Sequence, residues 1–385
     1  MTQSNLTRRE FVGATALGFT GMAAFGAQPA RDFLLYVGTY TRGKSEGIYV
    51  YRMNAATGEL KPVSTVKDVS NPSFLAISPN RKFLYAVNES GEFMGKKGGG
   101  VTAFAIDQKT GDLKMLNAQP SPGVPCHASV HPSGRLVLAA NYGGGNVVVY
   151  PVKADGSLGE QSHMVQHTGK GGDPLRQDGP HAHQIVLDAA GRFAFAPDLG
   201  IDKVMIYRVD EKKGRLLPNA FAAVKPAAGP RHFDFHPSEN FGYVINELNS
   251  TITAFAYNKA KGTLTELQTV STVPDGFSGT NYCADIHVHP SGRFLYGSNR
   301  GHDSIVAFQI LGDGKLNILK HEPVGGKWPR NFGVDPSGSF LLVANQNTDN
   351  VVTFRIDPRT GWLQATGQVT EVPMPVCLKF IPAFS

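Results

Sequence analysis

Strand-length apolar runs, rich in Val, Phe, Tyr and Ile and bounded by Gly, Pro, Asn or Asp, follow one another along almost the whole chain. One phrase recurs: HPSGRLVLAANY from His131, HPSENFGYVINE from His236, HPSGRFLYGSNR from His289 and DPSGSFLLVANQ from Asp335. Weaker copies are SPNRKFLYAVNE from Ser78 and DAAGRFAFAPDL from Asp188. Aligning the polar residue that ends each apolar run gives Thr39, Asn88, Asn141, Asp198, Asn246, Asn299 and Asn345. These define seven units roughly 45 to 57 residues apart, the period of propeller blades. A repeat that cannot bury its own apolar face must stack on its neighbours. The sequence therefore predicts an all-β, seven-bladed β-propeller.

Within the unit from Pro72, PSFLAISP reads as a first strand, FLYAVN as a second, GVTAFAI as a third and DLKMLNAQ as a fourth. Four antiparallel strands per blade follow. In HPSGR, Pro132 presets φ for the turn and Gly134 supplies the backbone freedom of a tight reversal. The Gly of DGSL, DGKL, KTGDL and ATGEL marks the hairpin between third and fourth strands. His131, His236 and His289 are thus expected to be turn residues. The chain enters the repeat at DFLLYVGTY without a first strand and ends on MPVCLKFIP, a first strand without the other three. Joined, the N- and C-terminal strands are predicted to close the last blade and leave no open ring end.

A length of 385 residues would ordinarily suggest two or three domains. The repeat instead makes 31–385 one propeller domain and sets 1–30 apart. From Thr7 that segment reads TRREFVGATALGFTGMAAFGA: paired Arg8 and Arg9, a weakly apolar Ala/Gly stretch, then small residues before Gln28. This is the pattern of a twin-arginine export signal. It implies the twin-arginine export machinery as a partner, cleavage between Ala24 and Ala30, a periplasmic mature protein and no membrane attachment after cleavage. No other apolar run is long enough to span a bilayer. Lys and Arg total 37 against 31 Asp and Glu, a formal charge of +6, with no dense basic run. That excess suits a small anionic ligand and argues against nucleic acid. Cys126, Cys283 and Cys377 form no CxxC pair, which argues against a thiolate zinc site, and small buried core residues are expected. A closed ring with both termini in one sheet is expected to stand alone as a monomer.

In a four-stranded meander the loop leading into the innermost strand and the loop leaving the second strand lie on one face of the disc. Six residues before each turn proline or its equivalent stand Ser73, Cys126, His183, Arg231, Ala284 and Arg330. The next position holds Phe74, His127, Gln184, His232, Asp285 and Asn331. Just after the second strand come Tyr40, Glu89, Tyr142, Leu199, Glu247, Arg300 and Gln346. A purely structural repeat would place similar residues at equivalent slots, yet these vary and several are His, Arg or Glu. His183, Arg231, Glu247 and Arg300 fall on three adjacent blades and are expected to face one small ligand as catalytic groups. Arg forks match carboxylate or phosphate oxygens, and an imidazole can carry a proton near neutral pH. Glu89, His127, His181, His232, Asp285 and Arg330 are expected to bind substrate around them. Two other readings of these residues stand beside this one. Arg231 and Glu247 can simply pair with each other, and His181 and His183 can join His127, His232 or His287 as metal ligands. The reading taken here assigns no metal and no cofactor. The GKGGD stretch at 169–173 lacks the spacing of a phosphate loop, and GEFMGKKGGG at 91–100 is expected to be a long loop over the pocket rim.

The stretches YVGTYT, HPSGR…AANY, GPHAHQ…PDLG, GPRHF, YVINELNSTI and SNRGHDSI resemble the seven-bladed propeller lactonases. That group includes bacterial 6-phosphogluconolactonases of the propeller type and fungal carboxymuconate cyclases. The likeness runs from about Phe33 to the C-terminus. It implies a lactonase, a carboxylic ester hydrolase of carbohydrate metabolism acting on a small anionic or polyhydroxylated lactone. It also implies that His183, Arg231, Glu247 and Arg300 act on that lactone. His183 or Glu247 would draw a proton from water, and Arg231 or Arg300 would steady the oxyanion. The export signal departs from the cytoplasmic sugar-phosphate enzymes, which puts the phosphate rather than the lactone in question. Two further classes fit the same slots: a muconate-type cycloisomerase and a non-catalytic propeller binding module.

Overall fold

The structure, a computed structural model, describes residues 32–384. The export signal at 1–30 and its cleavage point lie outside the described residues. Among the described residues, seven four-stranded antiparallel sheets form the blades. Blade 1 consists of Leu75–Ile77, Phe83–Asn88, Gly100–Ile106 and Leu113–Pro120, in the order predicted from its apolar runs. Blades 2 to 6 repeat that order, and the first strands of successive blades pack side by side around the central channel. The closing blade forms as expected: Pro375–Pro382 pairs with Phe33–Thr39 in antiparallel register, Leu35 opposite Phe380 and Val37 opposite Leu378. Gly47–Met53 and Leu60–Lys67 complete that sheet. Among the described residues no helix is long and apolar enough to cross a membrane.

Apolar faces of neighbouring blades bury one another. Between blades 3 and 4, Phe195, Val204 and Ile206 meet Phe233, Val244 and Phe255. Full burial of such a side chain stabilises by about 1.5–3 kcal/mol. The aromatic that opens a second strand docks on the hairpin glycine of the next blade: Phe83 on Gly156, Phe193 on Gly262, Phe241 on Gly314, Phe294 on Gly361. These glycines also have positive φ, so sterics and backbone both exclude a side chain.

The turn histidines are staples between blades. In each HPS turn Nδ1 accepts the Ser amide, which leaves the proton on Nε2. His131, His236 and His289 then donate to the carbonyls of Gly191, Gly292 and Gly338 in the following blade, at 3.0, 2.9 and 2.9 Å. The polar residues that end the second strands are buried as well. Asn88, Asn299 and Asn345 donate to the carbonyls of Ser70, Thr272 and Val324 in the connection from the preceding blade. They tie the end of each second strand, just before Glu89, Arg300 and Gln346, to that connection. All three cysteines are buried and free.

Two features correct the sequence reading. The 91–100 stretch is not a plain loop: Glu92–Phe93 pairs with Lys96–Lys97 as a small hairpin, beside Gln119, Pro120 and Glu160 and away from the central channel. The first strands are also not regular where they begin. Register breaks between Pro125 and His127, between Pro230 and His232, and between Pro329 and Asn331, leaving Cys126, Arg231 and Arg330 as bulge residues. A bulge bends its strand and re-aims a side chain, and here it brings Cys126 and Arg330 to the channel lining while Arg231 turns behind it.

Candidate active site

The channel holds two chambers that share no lining residue. The first, a well of about 400 Å³, is lined by Tyr40, Glu89, Cys126, Tyr142, Arg176, His183, Glu247, Tyr282, Arg300, Trp328 and Arg330. It takes residues from both predicted slots: bulge positions at the start of first strands and loop positions after second strands.

Glu247 organises the well. Its Oε2 accepts Arg231 Nε at 3.0 Å and Arg300 Nη2 at 2.7 Å, and its Oε1 accepts Arg176 Nη2 at 2.7 Å. Burial alone would raise its pKa, but Arg300, then Arg231 and Arg176, outweigh it and hold the carboxyl at about 2. Glu247 is therefore a permanent anion at neutral pH, with little affinity for a proton. Arg300 is fixed further by the carbonyls of Tyr282 and Cys283 and stacks under Trp328 at 5.4 Å. Arg330 behaves differently: its guanidinium lies over the Tyr40 ring at 5.4 Å and has no ion pair or hydrogen bond among the described residues. Glu89, on the same wall, accepts the Tyr40 hydroxyl at 2.9 Å and the Ser73 hydroxyl at 2.5 Å.

His183 is 5 % exposed and lines the well. Burial first, then the charges of Arg231 and the neighbouring His232 and Arg330, push its pKa well below the usual histidine range, so the ring is neutral at pH 7. Its Nδ1 lies 3.7 Å from Cys126 Sγ, while that thiol reaches the His183 carbonyl at 3.2 Å. With the thiol proton directed to the carbonyl, sulfur is left to accept Nδ1–H, and the lone pair falls on Nε2. Nε2 has no partner among the described residues. Burial raises the Cys126 pKa, so the group is a thiol and no nucleophile.

Not every expected residue faces this well. Arg231 does not touch it: the side chain is 2 % exposed, held behind the wall by Glu247, by the Ala284 carbonyl and by His232 Nε2 at 3.3 Å from Nη1. His232 sits in the partition between chambers, its ring 5.3 Å from that of His183. Its Nδ1 donates to Asp285 Oδ1 at 2.7 Å, so Nε2 is left to accept from Arg231. Burial and Arg231 lower its pKa to about 4. His127 and Asp285 line the opposite chamber. His181 lies at the rim, stacked on Tyr142 at 4.5 Å with its Nδ1 on the Tyr142 carbonyl. The expectation that His127, His232 and Asp285 bind one ligand beside His183 is corrected by position along the channel, whereas His181 stays on the Tyr142 side of the partition. A strand rises about 3.3 Å per residue, and one step past the bulge lies beyond the partition. Among the described residues no three His, Cys, Asp or Glu side chains converge as a metal's ligands.

Sequence reasoning missed Arg176 as a well residue. It belongs to the segment between His163–Gln166 and Val186–Leu187, which has no counterpart in the other repeats, so no slot count reaches it. Its side chain spans the rim from Glu247 to the face of Tyr282, 5.7 Å from the ring centroid.

The family model described as lactonase, 7-bladed beta-propeller, matches residues 34–380. A 6-phosphogluconolactonase of Bacillus subtilis is 40% identical over 352 residues, covering 91% of this chain and 98% of that protein. One of Formosa agariphila is 39% identical over 343 residues, covering 87% and 95%. The solved structure of a periplasmic gluconolactonase of Pseudomonas aeruginosa superposes with a TM-score of 0.86 at 37% identity, covering 91% of this chain and 99% of that one.

Proposed function

The chain belongs to the seven-bladed β-propeller lactonase family, and from that premise we propose that it hydrolyses the ring ester of a sugar-derived lactone in the well between His183 and Arg330. The observation that carries this reading is the pairing of a neutral imidazole, its Nε2 unpartnered, with a guanidinium that makes no direct ion pair or hydrogen bond among the described residues. Three other guanidiniums around the well are already committed to Glu247.

In the proposed reaction His183 Nε2 takes a proton from water as the oxygen attacks the ring carbonyl. Arg330, with Arg300, faces the oxyanion that forms; one well-aimed donor is typically worth about 2.7–4 kcal/mol of barrier. Collapse of the tetrahedral intermediate breaks the bond to the ring oxygen, which receives the proton from the His183 imidazolium. The product is the open hydroxy acid, which ionises and releases one proton. Glu247, too weak a base to take part in proton transfer, holds Arg300 and Arg176 in place. Arg231 and the His232–Asp285 pair behind it act as positioning residues.

A single unpaired guanidinium suits an uncharged polyhydroxylated lactone or a monoanion better than a phosphate dianion. The twin-arginine pattern at residues 7–27 and the periplasmic location named for the Pseudomonas aeruginosa relative support a periplasmic site of action, where an unphosphorylated sugar lactone is the fitting substrate. A pH-stat assay of purified protein against gluconolactone, its 6-phosphate and muconolactone, with and without chelator, tests this. The expected result is acid release fastest from gluconolactone and unaffected by chelator. Release from none of the three would overturn the hydrolase reading, and preference for the 6-phosphate would overturn the substrate assignment.

A further inference from the structure

The opposite mouth of the channel opens into the second chamber, of about 360 Å³, at the low end of small-molecule cavities. Its polar groups divide into two halves. On blades 4 to 6 they are engaged with one another. Asp285 accepts from His232, from His287 at 3.0 Å and from Asn331, and Asn331 Oδ1 accepts the Leu378 amide at 2.7 Å. Asp234 accepts the Val288 amide at 2.8 Å and lies 3.9 Å from His287 Nδ1.

Across blades 7, 1, 2 and 3 the chamber presents donors with nothing to donate to. The Ile185 amide donates to His127 Nδ1 at 3.4 Å, which places the ring proton on Nε2, and Nε2 has no partner among the described residues. The Phe233 amide donates to Gln184 Oε1 at 2.6 Å, which fixes the carboxamide orientation and leaves its NH2 group unpartnered. Both side chains are more than nine-tenths buried, His127 at 3% and Gln184 at 6% exposure. Lys379 Nζ stands 4.6 Å over the Phe74 ring, whose centroid is 4.0 Å from that of His127, and it has no ion pair among the described residues. Neither donor atom is sealed within the protein, so both N–H groups are presented to the chamber, where an acceptor can reach them.

From this segregation we infer that the second chamber is a binding site for a small monocarboxylate, held by the Lys379 ammonium and the N–H groups of His127 and Gln184. One ammonium balances one negative charge. Asp234 and Asp285 on the facing half disfavour a second, so inorganic phosphate binds more weakly than a carboxylate. The site is separate from the well and does not depend on the lactonase reading.

Ligand-observed NMR titration of the full chain with acetate tests the inference. Saturable acetate binding is expected, weakened at least about tenfold, or 1.4 kcal/mol, in Lys379→Met and in Gln184→Glu. The second variant keeps the oxygen that takes the Phe233 amide and replaces the donor by a negative oxygen. Should thermal melting show Gln184→Glu misfolded, Lys379→Met carries the test. Arg330→Met removes the unpaired cation of the other chamber, and in that background the Lys379-dependent acetate site is expected to remain and to bind phosphate less tightly than acetate. Absence of saturable binding in Arg330→Met, binding unchanged when Lys379→Met is added to it, or tighter binding of phosphate would each overturn the inference.

Discussion

Glu247 takes three guanidiniums on two oxygens, and two of those cations, Arg231 and Arg300, are nearly sealed from water. Removing one member of such a cluster leaves buried charge without compensation, at a cost of roughly 3–5 kcal/mol. Glu247→Gln keeps the shape and removes the charge, so it is expected to lose stability of that order at pH 7, read by urea unfolding. The sign with pH follows from the direction of the shift. The folded pKa of about 2 lies below the ordinary 4.5, so the carboxylate contributes fully above about pH 4.5 and its contribution fades as pH falls toward 2. The gap between wild type and variant is expected to narrow over the same range. Equal stabilities at pH 7 would remove the clamp from the account. At this scale the sequence revealed Glu247, Arg300 and Arg330 because each occupies a repeat slot filled differently in other blades. It did not reveal that Arg231 stands behind the wall, since that depends on which side of a bulge the guanidinium turns. Nor did it reveal Arg176, in a segment with no repeat to align against.

The blade-to-blade contacts make a prediction about elements. Gly361, in the hairpin of blade 6, has φ +73°, and a Cβ there would stand 2.5 Å from the Phe294 ring of blade 5. Gly367 has a similar φ of +80° but no atom within 4 Å of the same construction. Replacing either by Ala costs the left-handed backbone penalty of roughly 1–2 kcal/mol. Only Gly361→Ala also displaces the docked aromatic, for a further loss of roughly 1–3 kcal/mol. Denaturant midpoints of the two variants measure the difference, and equal losses would contradict the docking. The hairpin glycines were legible from KTGDL and its relatives, because a tight reversal needs that residue locally. The aromatic partners named above lie 67–73 residues away in the preceding blade, beyond what a local turn signal reports.

For the whole molecule, closure by Pro375–Pro382 against Phe33–Thr39 ties the two ends of the described chain into one sheet. Deleting residues 376–385 removes most of that strand. Protection from hydrogen exchange is expected to fall in blades 1 and 6 as well as in the closing blade, because their apolar faces lose a neighbour. Exchange confined to residues 33–67 would show that the ring does not act as a unit. The architecture was legible because the repeat imposes it seven times, whereas the division of the channel into two chambers was not, since it turns on a single residue's rise along each first strand. The most direct measurement of the central claim is the rate of acid release from gluconolactone by wild type and His183→Gln between pH 5 and 8, corrected for uncatalysed hydrolysis. A neutral imidazole is the working form and its pKa lies below 6.5, so wild-type kcat/KM is predicted to be level from pH 6.5 upward and to fall only on the acid side. His183→Gln is predicted to lose about 10²- to 10⁴-fold in kcat with its melting temperature unchanged. Wild-type kcat in that variant, or an acid limb centred above pH 6.5, would contradict the account.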